Sequence, residues 1–233
     1  MVLVLAKRVT NWYKKNEFGF VIVYGHSGVG KSSYAWKVLF ELYPQTEDQT
    51  REEYIQSLKR YLVFTPRQLI NLGDELEAAG ERIPAIILDD GGLHFGKMDY
   101  KDPIVNAALK YLQTIRSQVA CIILTTTSPS NLVAGMRSLD MNMVKVTKLV
   151  RDERIGTGYT YSVGPKGRVW VNRVWEDYFD AHLPNDFFAW YSAYRKTYAN
   201  VARDKLRVEV QKADAKTARQ QKKDAKDMED DYG

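Results

Sequence analysis

Three short stretches carry residues of the types and spacing that phosphate chemistry requires. Gly25-His26-Ser27-Gly28-Val29-Gly30-Lys31-Ser32, followed by Ser33, reads G-x-x-x-x-G-K-S, the P-loop signature. Glycines let the main chain come close to a polyphosphate, and successive N–H groups then turn inward as an anion nest at a positive helix end. Lys31 is expected to reach the β- and γ-phosphates, and the Ser32 hydroxyl to ligate Mg²⁺. The expected nucleotide-binding set is Gly25, His26, Ser27, Gly28, Val29, Gly30, Lys31, Ser32 and Ser33, with ATP and Mg²⁺ as cofactors.

The second stretch is Pro84-Ala85-Ile86-Ile87-Leu88-Asp89-Asp90, an apolar run that rises into paired carboxylates and then Gly91-Gly92. This is the shape of a Walker B strand. Asp89 is expected to hold Mg²⁺, and Asp90 to orient or deprotonate the attacking water. Alone, Asp-Asp-Gly-Gly is a solvated turn; with the glycine loop upstream the catalytic reading is favoured. The third stretch is Thr125-Thr126-Thr127-Ser128-Pro129, after the apolar Val119 to Leu124. A hydroxyl there, from Thr125, Thr126 or Thr127, with Thr126 and Thr127 as the named candidates, is expected to position the water or sense the γ-phosphate.

All three stretches need strands to carry them. Phe18 to Tyr24 (FGFVIVY) is short, apolar and rich in β-branched and aromatic residues, as a buried strand is. The pattern predicts strands near 18–24, 61–65, 84–90, 119–125 and 143–150, alternating with helices. Thr65-Pro66 predicts a helix start and Gly80 its stop; Asp102-Pro103 predicts another start. Strand–loop–helix repeats make a parallel sheet covered by helices, whose ligands bind at strand C-termini. Residues 1–17 are a lead-in with a short helix over Val9 to Lys15, whose Trp12 and Tyr13 either pack or stack on a base.

The 233 residues, 45% hydrophobic, suffice for one substantial domain and an appendage. A single cysteine, Cys121, excludes an internal disulfide and sits in an apolar run. Net charge is +5, which permits a polyanionic partner without demanding one. MVLVLA is too short for a signal h-region and no run approaches a membrane span, so a cytoplasmic protein with no membrane partner is expected.

With these residues in view, positions 18 to about 150 resemble an additional-strand P-loop ATPase of the AAA+ and RecA-like superfamily. Ile123 to Pro129 resembles the sensor strand of clamp-loader and replication-initiator ATPases. Those families place asparagine at or near the position of Thr127, and glutamate where this chain has Asp90. The resemblance implies an arginine finger acting across a subunit interface; Arg137 occupies the matching place, and Arg116 is the second candidate. It further implies an ATP-bound homo-oligomer and a setting in viruses or mobile elements, archaeal ones included. The implied fold class is α/β: a three-layer parallel-sheet P-loop NTPase core with a C-terminal β-hairpin and helical extension.

Beyond the core, Gly158 to Val163 and Arg168 to Val174 flank Gly164-Pro165-Lys166-Gly167, a hairpin signal. Lys166, Arg168 and Arg173, interleaved with Tyr159, Tyr161 and Trp170, suit nucleic-acid contact. A hairpin that merely extends the sheet, its lysine guarding an edge, is the preferred reading of them. An aromatic helix from Leu183 and a polar, charge-balanced tail complete the expected divisions: ATPase core 1–155, hairpin and aromatic helix 156–202, tail 203–233. The main functional expectation is an ATPase acting on DNA in replication initiation, helicase loading or strand remodelling. The alternative is a DNA-translocating, packaging or assembly motor. A small-molecule kinase with Thr157 to Arg173 as its lid, and a nucleotide-gated switch for a protein partner, rank lower.

Overall fold

The computed structural model describes residues 2–93, 95–137, 141–163 and 169–231. It divides into two compact units, Met1–Leu183 and Pro184–Gly233.

The first unit is a seven-stranded sheet in the order β2-β3-β4-β1-β5-β6-β7. Its strands are β1 (Gly19–Tyr24), β2 (Leu62–Val63), β3 (Ile83–Leu88), β4 (Val119–Thr126), β5 (Met141–Lys148), β6 (Glu153–Val163) and β7 (Val169–Asp180). β1 through β5 pair in parallel, and β6 and β7 add on antiparallel. β4 therefore lies between the glycine-loop strand β1 and the carboxylate strand β3.

The central strands are buried on both faces, so they read as continuous apolar runs. Phe20, Ile22, Ile86, Leu88, Ile122 and Leu124 point to one side and pack with helices α4 (Pro66–Ala79) and α5 (Pro103–Thr114). The alternate residues face α1 (Val4–Lys14) and α2 (Lys31–Leu42), which lie over β3 and β4. Helix, sheet and helix make three layers.

Local signals fix several boundaries. Thr65 and Gln68 form a capping box at α4, Pro66 takes its first position, and Gly80 ends it at φ 60°. α3 (Arg51–Lys59) has its own box from Thr50 and Glu53, and Asp102 caps α5. β2 is shorter than expected because Thr65 is already committed to the α4 cap.

Long-range contacts set the rest. α1 starts at Val4, ahead of the expected Val9, because the buried Asp177 carboxylate of β7 accepts from Val4 N at 2.5 Å and Leu5 N at 3.3 Å. The same carboxylate accepts from Tyr34 Oη at 2.6 Å. Burial, and then the charge of Asp177, hold the Tyr34 phenol well above its ordinary pKa. Trp12 lies over Gly19, where any Cβ would meet its ring at 2.4 Å. Gly19 begins β1, a full strand away from Gly25, so base stacking by Trp12 is overturned in favour of packing. Arg82 donates to the carbonyls of Tyr13 and Glu17 and lies over the Tyr13 ring, which fixes that residue at the same far end.

The second unit is one helix, α7 (Asn185–Asp231), so the polar stretch from residue 203 is helical up to Asp231. Near its start Trp190 stacks on Tyr194 at 5.6 Å, and Tyr194 meets Tyr198 edge-on at 5.3 Å. Among the described residues no helix is long and apolar enough to cross a membrane.

Candidate phosphate-binding site

β1 delivers the chain into the glycine loop, and α2 leaves it at Lys31. Gly25 (φ 151°) and Gly30 (φ 97°) hold backbone angles that L side chains rarely adopt. At Gly25 there is also no room, since a Cβ would stand 2.6 Å from the Val146 carbonyl oxygen. The loop closes on itself: Val29 N and Lys31 Nζ both donate to the His26 carbonyl, at 3.3 and 2.9 Å. His26, Ser27 and Gly28 are exposed at its crest, and Ser32 and Ser33 follow on the first turn of α2.

The carboxylates arrive from β3. Leu88 pairs with Leu124, which sets Asp89 abreast of Thr125. Asp89 is completely buried, and its Oδ1 accepts from Ser32 Oγ at 3.0 Å and from Thr125 Oγ1 at 2.5 Å. Asp90 stands next along the chain, partly exposed, at φ 50°. That left-handed conformation is costly for a residue with a Cβ. It is held by a bond from Asp90 N to Thr125 Oγ1, 3.0 Å long. Thr125 thus ties both carboxylate residues to the central strand.

The other expected residues fall as follows. Thr126, level with Tyr24, donates its hydroxyl to the Ser128 carbonyl at 3.1 Å. Thr127 is exposed, and its Oγ1 accepts from Asn131 Nδ2 at 3.0 Å. Arg137 ends the four-residue helix α6 (Ala134–Arg137), which follows β4. Arg116 lies just before β4 begins, at the end of the sheet away from the glycine loop, and the structure does not bring it to this site. Arg173 on β7 forms an ion pair with Glu176. Lys166 and Arg168 lie outside the described residues.

Of the three threonines of the third stretch, Thr125 is the one that joins both carboxylates. One participant carries no motif: Arg154, at the start of β6, whose Nε donates to the Val29 carbonyl of the glycine loop at 3.0 Å across 125 residues of sequence.

A glycine loop between β1 and α2, a carboxylate strand one strand removed, and helices on both faces define the P-loop NTPase fold. No protein-family model matches the chain. It is 27% identical over 225 residues to the uncharacterised protein B-251 of Sulfolobus spindle-shape virus 1, which covers 91% of this chain and 87% of that one. It is 32% identical over 130 residues to the uncharacterised protein ORF286 of Acidianus two-tailed virus, covering 54% of this chain and 42% of that relative's length. Among solved structures, the N-terminal domain of zonular occludens toxin from Neisseria meningitidis aligns with a TM-score of 0.42 at 13% identity, over 74% of this chain and 98% of that one. The genome packaging NTPase B204 from Sulfolobus turreted icosahedral virus 2, in complex with ATP-gammaS, aligns with a TM-score of 0.38 at 12% identity, over 67% and 97%.

Proposed function

We propose that this chain is a Mg²⁺-dependent ATP hydrolase of a virus, working as a motor on DNA, and that its ATP-bound form is a homo-oligomer. The observation that carries the hydrolytic reading is the network Ser32–Asp89–Thr125–Asp90 beside the glycine loop. The polyphosphate lies on the loop N–H groups, and Lys31 exchanges the His26 carbonyl for phosphate oxygens. Ser32 Oγ and Asp89 are a hard-oxygen pair suited to Mg²⁺, which takes few protein ligands beside phosphates. Mg²⁺ held by Ser32 and Asp89 would neutralise charge on the phosphates. Asp90 orients or deprotonates the water, and its backbone is pinned by Thr125. Thr126 and Thr127 sense the γ-phosphate, and Arg137 of a neighbouring subunit serves as the finger.

A motor is preferred over replication initiation, helicase loading or strand remodelling because of the β6–β7 ladder. It pairs from Glu153↔Asp180 to Val163↔Val169, interrupted once at Gly158/Tyr159, where the register shifts. One end touches the glycine loop through Arg154. Toward the other end Tyr161, Trp170 and Val171 are exposed, with Arg173 on the same strand pair. Aromatic faces and cations there suit nucleic acid, with Lys166 and Arg168 as further candidates. A strand pair that joins the glycine loop to this exposed face supports mechanical output. The viral setting draws on the two relatives named above.

The test is phosphate release with and without double- and single-stranded DNA, combined with size measurement in ATP. A DNA-stimulated hydrolase that forms a stable closed oligomer supports the motor. Stimulation without a stable oligomer favours strand remodelling instead, and phosphate transfer to a small acceptor favours a kinase.

A further inference from the structure

Arg154 is 7% exposed, yet no ion pair among the described residues involves it. Three backbone carbonyls hold its guanidinium. Nε donates to Val29 O at 3.0 Å, and Nη1 donates to Arg151 O and Glu153 O, both at 2.9 Å. Burying a cation without a carboxylate is costly. Fastening a loop carbonyl does not call for a full charge, since a neutral donor does it. A charge at this position is accounted for by an anion that binds nearby.

The acceptor is the loop's own peptide. The Val29–Gly30 unit is trans and planar, so its C=O and N–H point in opposite directions. A guanidinium that holds the Val29 carbonyl from the β6 side turns the Gly30 N–H away from itself. Polarising the carbonyl also makes that N–H a stronger donor. The Arg154 stem lies along Gly30 as well: a Cβ there would stand 3.7 Å from Arg154 Cγ and 3.9 Å from Nε. The arginine therefore governs both the aim and the strength of one N–H at the head of α2.

We propose that Arg154 is a positioning residue of the nucleotide site, which aims the Gly30 N–H at the bound phosphate and makes the first residues of β6 respond to nucleotide. The ligand is a nucleoside di- or triphosphate, and the inference rests on the P-loop reading above. Because Arg154 is the second residue of the hairpin ladder, a phosphate that pulls on the Val29–Gly30 peptide also pulls on β6.

Amide and arginine Nε–H resonances of the full ¹⁵N-labelled chain, titrated with Mg·ADP, test this. In the wild type the Gly30 amide proton moves downfield and the Arg154 Nε–H moves with it. Arg154→Met keeps the stem and removes the donors; its Kd for Mg·ADP is expected to rise about tenfold, the worth of one hydrogen bond to a charged group, and the Gly30 shift to shrink. Arg154→Lys keeps the charge without the planar fork and falls between the two. A folded Arg154→Met variant with Kd within twofold of wild type and an unchanged Gly30 shift overturns the proposal. Should that variant not fold, the wild-type spectra decide: an Arg154 Nε–H that stays still while the loop amides respond is equally fatal, and one that moves supports the proposal. A wild type that binds no nucleotide defeats the P-loop reading, and this inference with it.

Discussion

Thr125→Val removes one oxygen and keeps the shape of the side chain. That oxygen makes two bonds in the structure: it donates to the buried Asp89 carboxylate at 2.5 Å and accepts from Asp90 N at 3.0 Å. A hydrogen bond to a charged group contributes about 1.5–3 kcal/mol and a neutral one about 0.5–1.5 kcal/mol. The expected loss is therefore about 2–4 kcal/mol, since Val fills the space and adds no cavity cost. For a domain of this size that lowers Tm by roughly 5–15 °C. Urea unfolding without nucleotide gives the free energy directly. Thr125→Ser, which keeps the hydroxyl, should recover most of it. The second consequence is kinetic. Asp90 sits at φ 50°, a conformation that persists only while its surroundings hold it. With the anchor gone Asp90 relaxes, and hydrolysis should fall by on the order of 10- to 100-fold at saturating ATP. A Thr125→Val protein within about 0.5 kcal/mol of wild type would refute the energetic reasoning. Equal losses in the Ser and Val variants would refute the role given to the oxygen.

Three other expectations follow from buried or capping groups. Tyr34→Phe deprives Asp177 of a donor 2.6 Å away and should cost about 1.5–3 kcal/mol in urea unfolding. Because the folded-state pKa of Tyr34 is raised, its contribution is complete below the unfolded value near 10 and is lost as pH climbs above it, so wild-type stability should fall above about pH 10 and less steeply in Tyr34→Phe. Cys121 is fully buried and burial pushes its thiol up, so thiol reagents at pH 8 should modify it only as fast as the protein unfolds. Thr65→Ala breaks the α4 capping box and should lower stability by about 1 kcal/mol, measurable as a shift in the urea midpoint.

Local chemistry was legible in the sequence. The glycine loop, the run into Asp89 and the Thr65-Pro66 helix start each depend on residues within a few positions, and each falls where the pattern puts it. What the pattern lacks is register. Thr126 and Thr127 were as good as Thr125 by type, and only the Leu88↔Leu124 pairing selects Thr125 to meet Asp89. The start of α1 depends on Asp177, and the loop's outer fastening on Arg154, contacts 173 and 125 residues apart in the chain. No periodicity or motif encodes a partner at that distance. The hairpin was legible as one that extends the sheet, and it does so by antiparallel pairing on β5; the strand it would join was not legible, because that depends on which sheet edge is left open.

The most direct test of the account is single-turnover phosphate release from ATP with Mg²⁺, run on the wild type, Lys31→Ala and Asp90→Asn. The account predicts release by the wild type, loss of nucleotide binding in Lys31→Ala, and retained binding without release in Asp90→Asn. Release that survives Lys31→Ala would contradict the P-loop site. Tight binding by the wild type with no release under any condition, DNA included, would contradict hydrolysis and leave a nucleotide switch.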